Sequence, residues 1–410
     1  MNKEKIKSEA TTPLRHPSKF LYWLLIPFLG FLLRIILKVK THKDLAVKNI
    51  KGPFLALGTH SSALDFILMM LALIPHRLNI VCGRDLLTWK AVKPFIKYAG
   101  LIPMSQFSMD IGSIRLMKKA IDMGCNLSLF PEGKISLDGR QIHFTTQSIA
   151  KLVKFLNVPV VMCHNNGGYL SLPKWAPKMR RGRIDQSIKL LFTVQDLQTM
   201  KVNDIFNRIK SAFAYNDHIF QKENHIRFKT KAPAKGLHYL LYKCSKCGTE
   251  YEMSSNDHEL TCNVCKNTIE YTEYGEMLAK VPNVARFQRI DQWYDYQRQT
   301  IKELVNDENF YETHSVVWAV SRDGKYEENG DGELFINTSE IGFIGKDLNG
   351  NPAEMRVPLK TLYTIVQKVN EAVDLTIDNV VHRFYFRDCR YSVKYTLIVE
   401  ESHKRIQGVQ

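Results

Sequence analysis

A histidine and an aspartate stand five residues apart in His60-Ser61-Ser62-Ala63-Leu64-Asp65. A carboxylate on one imidazole nitrogen fixes the tautomer and stabilises the imidazolium. The other nitrogen is then free to take a proton from an alcohol. Five residues of regular helix turn through about 500°, so the pair cannot share one helical face. The spacing works if His60 sits in a strand-to-helix turn, Asp65 lies one turn inside the helix, and the imidazole folds back. Taken alone the signal is weak, because a histidine in such a turn is more often structural. A second segment, Phe130-Pro131-Glu132-Gly133-Lys134-Ile135-Ser136, reads alone as a loop broken by Pro and Gly.

The third constellation is two C-x-x-C pairs, Cys244/Cys247 and Cys262/Cys265, separated by fourteen residues. Two such knuckles can bring four thiolates into tetrahedral zinc geometry. A closed four-thiolate site is structural rather than catalytic. The other cysteines (Cys82, Cys125, Cys163 and Cys389) are scattered among apolar residues as buried free thiols are. No disulfide framework is implied, which suits a reducing compartment.

The elements around these residues point to an α/β region over 50–215. Residues 53–59 read as a buried strand, as do Asn79–Cys82, Leu127–Phe130 and Val158–Cys163. Helical stretches lie between them over 62–74, Gly112–Met123 and Thr145–Leu156. Alternating strands and helices predict a mainly parallel sheet, with His60 and the Phe130–Gly133 loop both at strand ends.

H-x4-D followed by F-P-E-G resembles the signature of the glycerolipid acyltransferases, whose bacterial representatives include 1-acylglycerol-3-phosphate acyltransferase. The resemblance covers about residues 17–200. It includes Gly100-Leu101-Ile102-Pro103 between the two motifs and Val158-Pro159-Val160 after them. It implies that His60 is the general base on an acceptor hydroxyl and that Asp65 orients it. The oxygen then attacks the thioester of acyl-CoA or acyl-carrier protein directly, so Ser61 and Ser62 are not nucleophiles. It also implies that Phe130, Pro131, Glu132 and Gly133 shape the acceptor site of a lysophospholipid or related glycerolipid. The sequence departs from the pattern at Thr59, where Asn is common, and at Ile135 and Gln106, where the family has arginines. Lys134, Arg84 or the cluster Lys174, Lys178, Arg180, Arg181 and Arg183 are the candidates to replace those cations at an acceptor phosphate.

The flanking regions extend the picture. With 57 Lys or Arg against 41 Asp or Glu, the chain carries a net charge of +16, which favours anionic partners. Residues 1–51 hold eleven of those cations against Glu4, Glu9 and Asp44. Within them Phe20–Leu33 is uncharged but interrupted by Pro27 and Gly30, and it has basic residues on both sides. A spanning helix needs about 20 apolar residues. A shorter, symmetrically flanked segment suits one leaflet or the interface, placing the protein on the cytoplasmic face of an anionic membrane as a peripheral or monotopic protein; a true span and a buried core helix are the other readings of these residues.

The remaining layout is a basic linker and zinc ribbon over 216–283, a connecting helix over 284–311 and a small β-rich domain over 312–410. The linker could touch lipid or nucleic acid; nucleic acid is not the expected partner. In the last region Ser315–Val320, Glu333–Asn337, Ile341–Ile344, Val357–Leu362, Val373–Ile377 and Val381–Phe386 read as strands. Asp331-Gly332 and Asn349-Gly350 read as turns, and Val393–Glu401 as a helix. The run GELFINTSEIGFIG loosely resembles the GRAM and pleckstrin-homology-like barrels. Hydrophobic residues at 45% and charged residues at 24% exclude extensive disorder. The alternative to an enzyme is a non-catalytic membrane or nucleic-acid adaptor using the basic surface and the ribbon. Such a protein would need neither the His60–Asp65 pair nor the Glu132-Gly133 loop.

Overall fold

The computed structural model describes residues 14–84, 86, 98–107, 110–141, 147–280, 284–322, 325–378 and 380–408. The start of the expected helix at Thr145, and residues 1–13 of the basic N-terminal segment, lie outside them.

Among the described residues, the first half is built on a seven-stranded mixed sheet. Its strands are β1 (Lys40–Lys43), β2 (Leu55–Gly58), β3 (Leu78–Gly83), β4 (Ile102–Met104), β5 (Asn126–Leu129), β6 (Val160–Asn166) and β7 (Asp185–Phe192), in the order β1-β7-β6-β2-β5-β3-β4. Strands β2 to β6 are parallel to one another, as expected. β7 runs antiparallel to β6 and carries β1 parallel to itself. Both of these strands were missed in the sequence. β1 is short and exposed, and Lys189 interrupts the apolar pattern of β7.

Strand β2 is buried on both faces, which is why it reads as a continuous apolar run. Leu55 and Leu57 enter one core, with Met117, Ala120, Ile149 and Val153. Ala56 enters the other, with Met69, Leu73 and Ile80. The helices supplying these layers are α1 (Ile26–Leu37), α2 (Asp65–Ala72), α3 (Ile111–Asp122), α4 (Ser148–Leu156) and α5 (Val202–Ala212). A π-helical turn, Leu21–Leu25, precedes α1. The N-terminal segment is docked rather than detached. Tyr22, Ile26 and Leu37 are buried, and the Tyr22 hydroxyl donates to the Leu78 carbonyl at 3.0 Å.

The second half begins with a four-stranded antiparallel ribbon: β8 (Met253–Ser255), β9 (Glu259–Cys262), β10 (Thr268–Tyr271) and β11 (Met277–Ala279). Helix α6 (Ile290–Leu304) follows, with Ile290, Trp293, Gln297 and Ile301 on its buried face. The ribbon is stitched to it by Trp293 Nε1 donating to the Lys243 carbonyl at 2.8 Å and Gln297 Nε2 to the Leu240 carbonyl at 3.1 Å.

The β-rich region is one antiparallel sheet: β12 (Tyr311–Arg322), β13 (Lys325–Asn337), β14 (Glu340–Asp347), β15 (Pro352–Pro358), β16 (Val366–Lys368), β17 (Ala372–Ile377) and β18 (Val380–Phe386). Its order is β15-β14-β13-β12-β18-β17-β16, closed at the C-terminus by α7 (Ser392–Gln407). Asn349-Gly350 makes the β14–β15 turn, as expected. Asp331-Gly332 does not turn: it lies inside β13, paired with Lys346 and Gly345. The glycine is required there for a different reason. A Cβ on Gly332 would stand 2.3 Å from the Ile344 carbonyl oxygen of the adjacent strand. The expected strand Val357–Leu362 is also corrected, since β15 ends at Pro358. One apolar cluster joins the ribbon, α6, the β-rich sheet and α7, and reaches Leu137 and Trp175 of the α/β half.

Candidate active site

The parallel strands deliver their carboxyl ends to one edge of the sheet, where open α/β sheets carry their ligand crevices. His60 follows β2, Arg84 follows β3, Ser105 and Gln106 follow β4, and Phe130–Gly133 follows β5.

His60 Nδ1 lies 3.3 Å from Asp65 Oδ2. The helix is shorter than its apolar run suggested. Residues 61–64 are turns, and α2 starts at Asp65 itself, so the carboxylate is at the helix N-terminus and not one turn inside. A negative charge is favoured there by the helix dipole. Asp65 is fully buried, and its oxygens are tied down. Oδ2 accepts the Ser62 backbone N–H at 2.7 Å, and Oδ1 accepts Asn165 Nδ2 at 2.9 Å. Asn165 Oδ1 in turn accepts Gln186 Nε2 at 2.8 Å, and Gln186 Oε1 accepts the Thr41 hydroxyl at 3.0 Å. This polar chain runs through the missed strands β7 and β1. The sequence signal that could have shown it is the polar pair Asn165-Asn166, which ends β6 one residue after the apolar run Val160–Cys163. With Nδ1–H donated to Asp65, the lone pair of His60 is on Nε2. The His60 side chain is 21% exposed while that of Asp65 is 0%, so the imidazole meets solvent and the carboxylate beside it does not.

The Phe130–Lys134 loop is brought against this pair, and its members differ in role. The Phe130 ring packs on the His60 ring with centroids 4.7 Å apart. Pro131 ends the strand, half-buried. Glu132, expected to line the acceptor site, is buried, and its Oε1 accepts the His60 backbone N–H at 2.9 Å. Ser136 N–H donates to the His60 carbonyl at 2.8 Å, so the histidine backbone is held at both ends. Gly133 has φ +70°, and a Cβ there would meet the Phe107 ring at 2.7 Å. Its carbonyl accepts Gln106 Nε2.

The candidate cations are placed differently from one another. Lys134 is drawn into the second half of the chain. It is buried, with Nζ 2.6 Å from Glu400 Oε1 on α7. Arg180 is also buried, over the Trp175 ring and donating to the Pro233 carbonyl at 2.7 Å. Arg183 pairs with Asp185 at 2.9 Å. Arg84 stays at the sheet edge, 24% exposed at its side chain, with a guanidinium nitrogen 3.5 Å from Asp110. Burial would raise the Asp110 carboxyl, but the amides of Ser105 and Ser113, and then Arg84, outweigh it and hold it below the ordinary carboxylate value.

The four cysteines are gathered as their spacing implied. Their sulfurs all lie within 4.8 Å of one another, with Cys244 to Cys265 and Cys247 to Cys262 each at 3.7 Å. Zn–S bonds near 2.3 Å in a regular tetrahedron put sulfurs about 3.8 Å apart, so the cluster fits a four-thiolate metal centre. Cys244 and Cys262 are buried in the core shared with α6.

Residues 37–164 match the family model described as Acyltransferase. A comparison with curated proteins gives no match. Among solved structures, the chain is similar to the 1-acyl-sn-glycerophosphate (LPA) acyltransferase PlsC from Thermotoga maritima. The identity is 15% and the TM-score 0.42, over 50% of this chain and 80% of that one. The matched stretch holds His60, Asp65, Arg84 and the whole Phe130–Lys134 loop, and the α/β half of this chain thus carries an acyltransferase-like domain.

Proposed function

We propose that the protein is a membrane-associated O-acyltransferase. It moves a fatty acyl group from the thioester of acyl-CoA or acyl-carrier protein to a lysoglycerolipid hydroxyl, of the 1-acylglycerol-3-phosphate kind. The observation that carries this reading is the His60–Asp65 pair: a half-open base whose partner is buried and held by Ser62 and Asn165.

His60 Nε2 takes the proton of the acceptor hydroxyl as its oxygen bonds to the thioester carbonyl carbon. The tetrahedral intermediate collapses with loss of the C–S bond, and the imidazolium returns the proton to the leaving sulfur. Asp65 keeps Nδ1 protonated throughout and stabilises the charged ring. Arg84 is the cation nearest in position to the role of an acceptor-phosphate ligand, being at the same sheet edge and partly open. The four cysteines hold one structural zinc and take no part in these steps.

Membrane contact is assigned to the N-terminal helix. Phe20, Leu24, Phe28, Phe31 and Ile35 are exposed at helical spacing and form one apolar stripe, with Lys19, Arg34 and Lys38 beside it. Exposed apolar patches of this kind mark interaction surfaces. No helix among the described residues is long and apolar enough to cross a membrane. The stripe therefore lies in the interface plane, with the cations at the head groups.

The test is incubation of purified protein with labelled acyl-CoA and acyl-carrier protein across a panel of lysolipids. Acylated product with one donor, lost in folded His60→Ala, is expected. Absence of product from folded wild-type protein with every donor and lysolipid overturns the reading.

A further inference from the structure

The buried ion pair between Lys134 and Glu400 joins parts of the chain 266 residues apart. Both side chains are 4% exposed. The pair is embedded in a small network. The Thr364 hydroxyl bridges Lys134 Nζ and Glu400 Oε1, donating to the carboxylate at 2.7 Å. Arg298 of α6 reaches Glu400 Oε2 at 2.8 Å and Glu401 Oε1 at 2.6 Å. Helix α7 and the β15–β16 connection thus meet one lysine of the Phe130–Lys134 loop directly, and α6 meets it through Glu400.

That lysine is two residues from Glu132, whose carboxylate holds the His60 backbone. Two residues of chain span at most about 7 Å, so Lys134 cannot shift far without carrying Glu132 along. A second grip reaches the same loop. The Phe107 ring fills the place of a Gly133 side chain and meets Tyr363 of the β-rich region edge-on, with centroids 5.3 Å apart. Beyond the lysine, Arg140 pairs with Asp295 of α6 at 2.7 Å and Leu137 enters the core of the second half.

We propose that Lys134 is a positioning residue for the acyl transfer. Through Glu400 the second half of the chain holds the Glu132–Gly133 loop, and so His60, in working geometry. The inference rests on the reading of His60 as the base. A purely adhesive contact would not require charge here, because packed apolar residues of similar volume hold two surfaces as well as or better than a buried ion pair.

The test compares wild type with Lys134→Arg, Lys134→Met, Glu400→Gln and the double variant Lys134→Met/Glu400→Gln. The readouts are kcat and KM for acyl-CoA with the lysolipid that wild type accepts, and thermal unfolding. Glu400→Gln strips the buried Lys134 ammonium of its carboxylate, and Lys134→Met leaves Glu400 with Arg298 alone, so each is expected to lower stability. The double variant removes both charges and should regain much of that stability. Its kcat should nevertheless stay about 10- to 100-fold down with KM changed less than about threefold, since small displacements at a catalytic centre cost that much. Lys134→Arg should keep most of kcat.

A folded double variant with wild-type kcat overturns the proposal and leaves the pair as adhesive only. Should the double variant not fold, Tyr363→Leu decides, because it alters the second grip without stranding a charge. The same kcat loss is expected there, and unchanged kcat overturns the proposal. A wild-type protein inactive on every lysolipid instead rejects the acyltransferase reading itself.

Discussion

Glu132 and His60, 72 residues apart, are joined through the histidine backbone: the carboxylate accepts the His60 N–H at 2.9 Å and is itself buried. The two motifs are therefore one construction. The downstream glutamate holds the turn that presents the upstream imidazole.

This separates two roles for Glu132. Glu132→Gln keeps an acceptor oxygen for the His60 amide and should retain activity within about tenfold of wild type. Glu132→Ala leaves a buried N–H unpaired, at about 1–3 kcal/mol, and should lower both stability and kcat. Unfolding curves and steady-state kinetics on the two variants check this. Equal losses in both would mean that the negative charge itself is used.

His60→Ala should lower turnover by about 10²–10⁴-fold, the usual worth of a general base. Its ring is partly exposed, so the unfolding temperature should move little. Asn165→Leu strips a hydrogen bond from Asp65 Oδ1 while leaving His60 in place. It should reduce kcat less than His60→Ala does, because the carboxylate loses one of the donors that fix its position but keeps the Ser62 amide. Steady-state rates and unfolding curves of the two variants test both.

The buried Glu400 makes an acid-stability prediction. Burial would raise its carboxyl, but Lys134 and Arg298 outweigh that and hold it at about 2, against an ordinary 4.5. A depressed folded value means that the charge contributes stability fully above about pH 4.5, and that this is lost as the pH falls toward 2. The stability gap between wild type and Glu400→Gln should thus be widest above pH 5 and narrow below it. Urea unfolding of both proteins from pH 2.5 to 6 provides the check; a gap independent of pH would show that the carboxylate is not paired as described.

The sequence exposed the local groupings better than their supports. The His60–Asp65 contact and the gathering of the four cysteines were readable because they join residues in short, recognisable spacings. Asn165, Gln186 and Thr41 were not, because their meaning depends on β7 lying beside β6 and β1 beside β7, pairings that no local pattern encodes. Lys134 misled for a related reason. A lysine beside a conspicuous glycine loop suggests a phosphate ligand, and only the folded C-terminal helix, 266 residues away, shows where its charge goes. Asp331-Gly332 carried a turn signature, yet its glycine answers to a neighbouring strand's backbone.

For the metal, one zinc per chain is expected by elemental analysis. Cys247 is the exposed one of the four, whereas Cys244 and Cys262 are buried. Cys247→Ser should therefore lower zinc content and local stability while leaving acyl transfer largely intact if the chain stays folded. Ligand thiols must be deprotonated, so metal retention should fall as pH falls. Zinc-free native protein would refute the assignment. Loss of all turnover in a folded, zinc-depleted variant would show that the ribbon is coupled to His60.

The proposed membrane surface calls for a substitution and not a truncation. Removing residues 1–38 would delete Tyr22, Ile26 and Leu37, which are buried in the core, so such a protein would lose more than its membrane contact. Phe28, Phe31 and Ile35 are instead 59%, 64% and 61% exposed and hold nothing inside together. Replacing all three by Ser should leave the unfolding temperature nearly unchanged. Each large apolar side chain buried in a lipid interface is worth about 1.5–3 kcal/mol, so even partial burial of three makes the loss of vesicle binding exceed tenfold. The contribution of Arg34 and Lys38 should appear separately, as binding to anionic vesicles that weakens with salt. Co-sedimentation of the triple variant with anionic and neutral vesicles measures both effects, and wild-type binding to both would move the contact to another face.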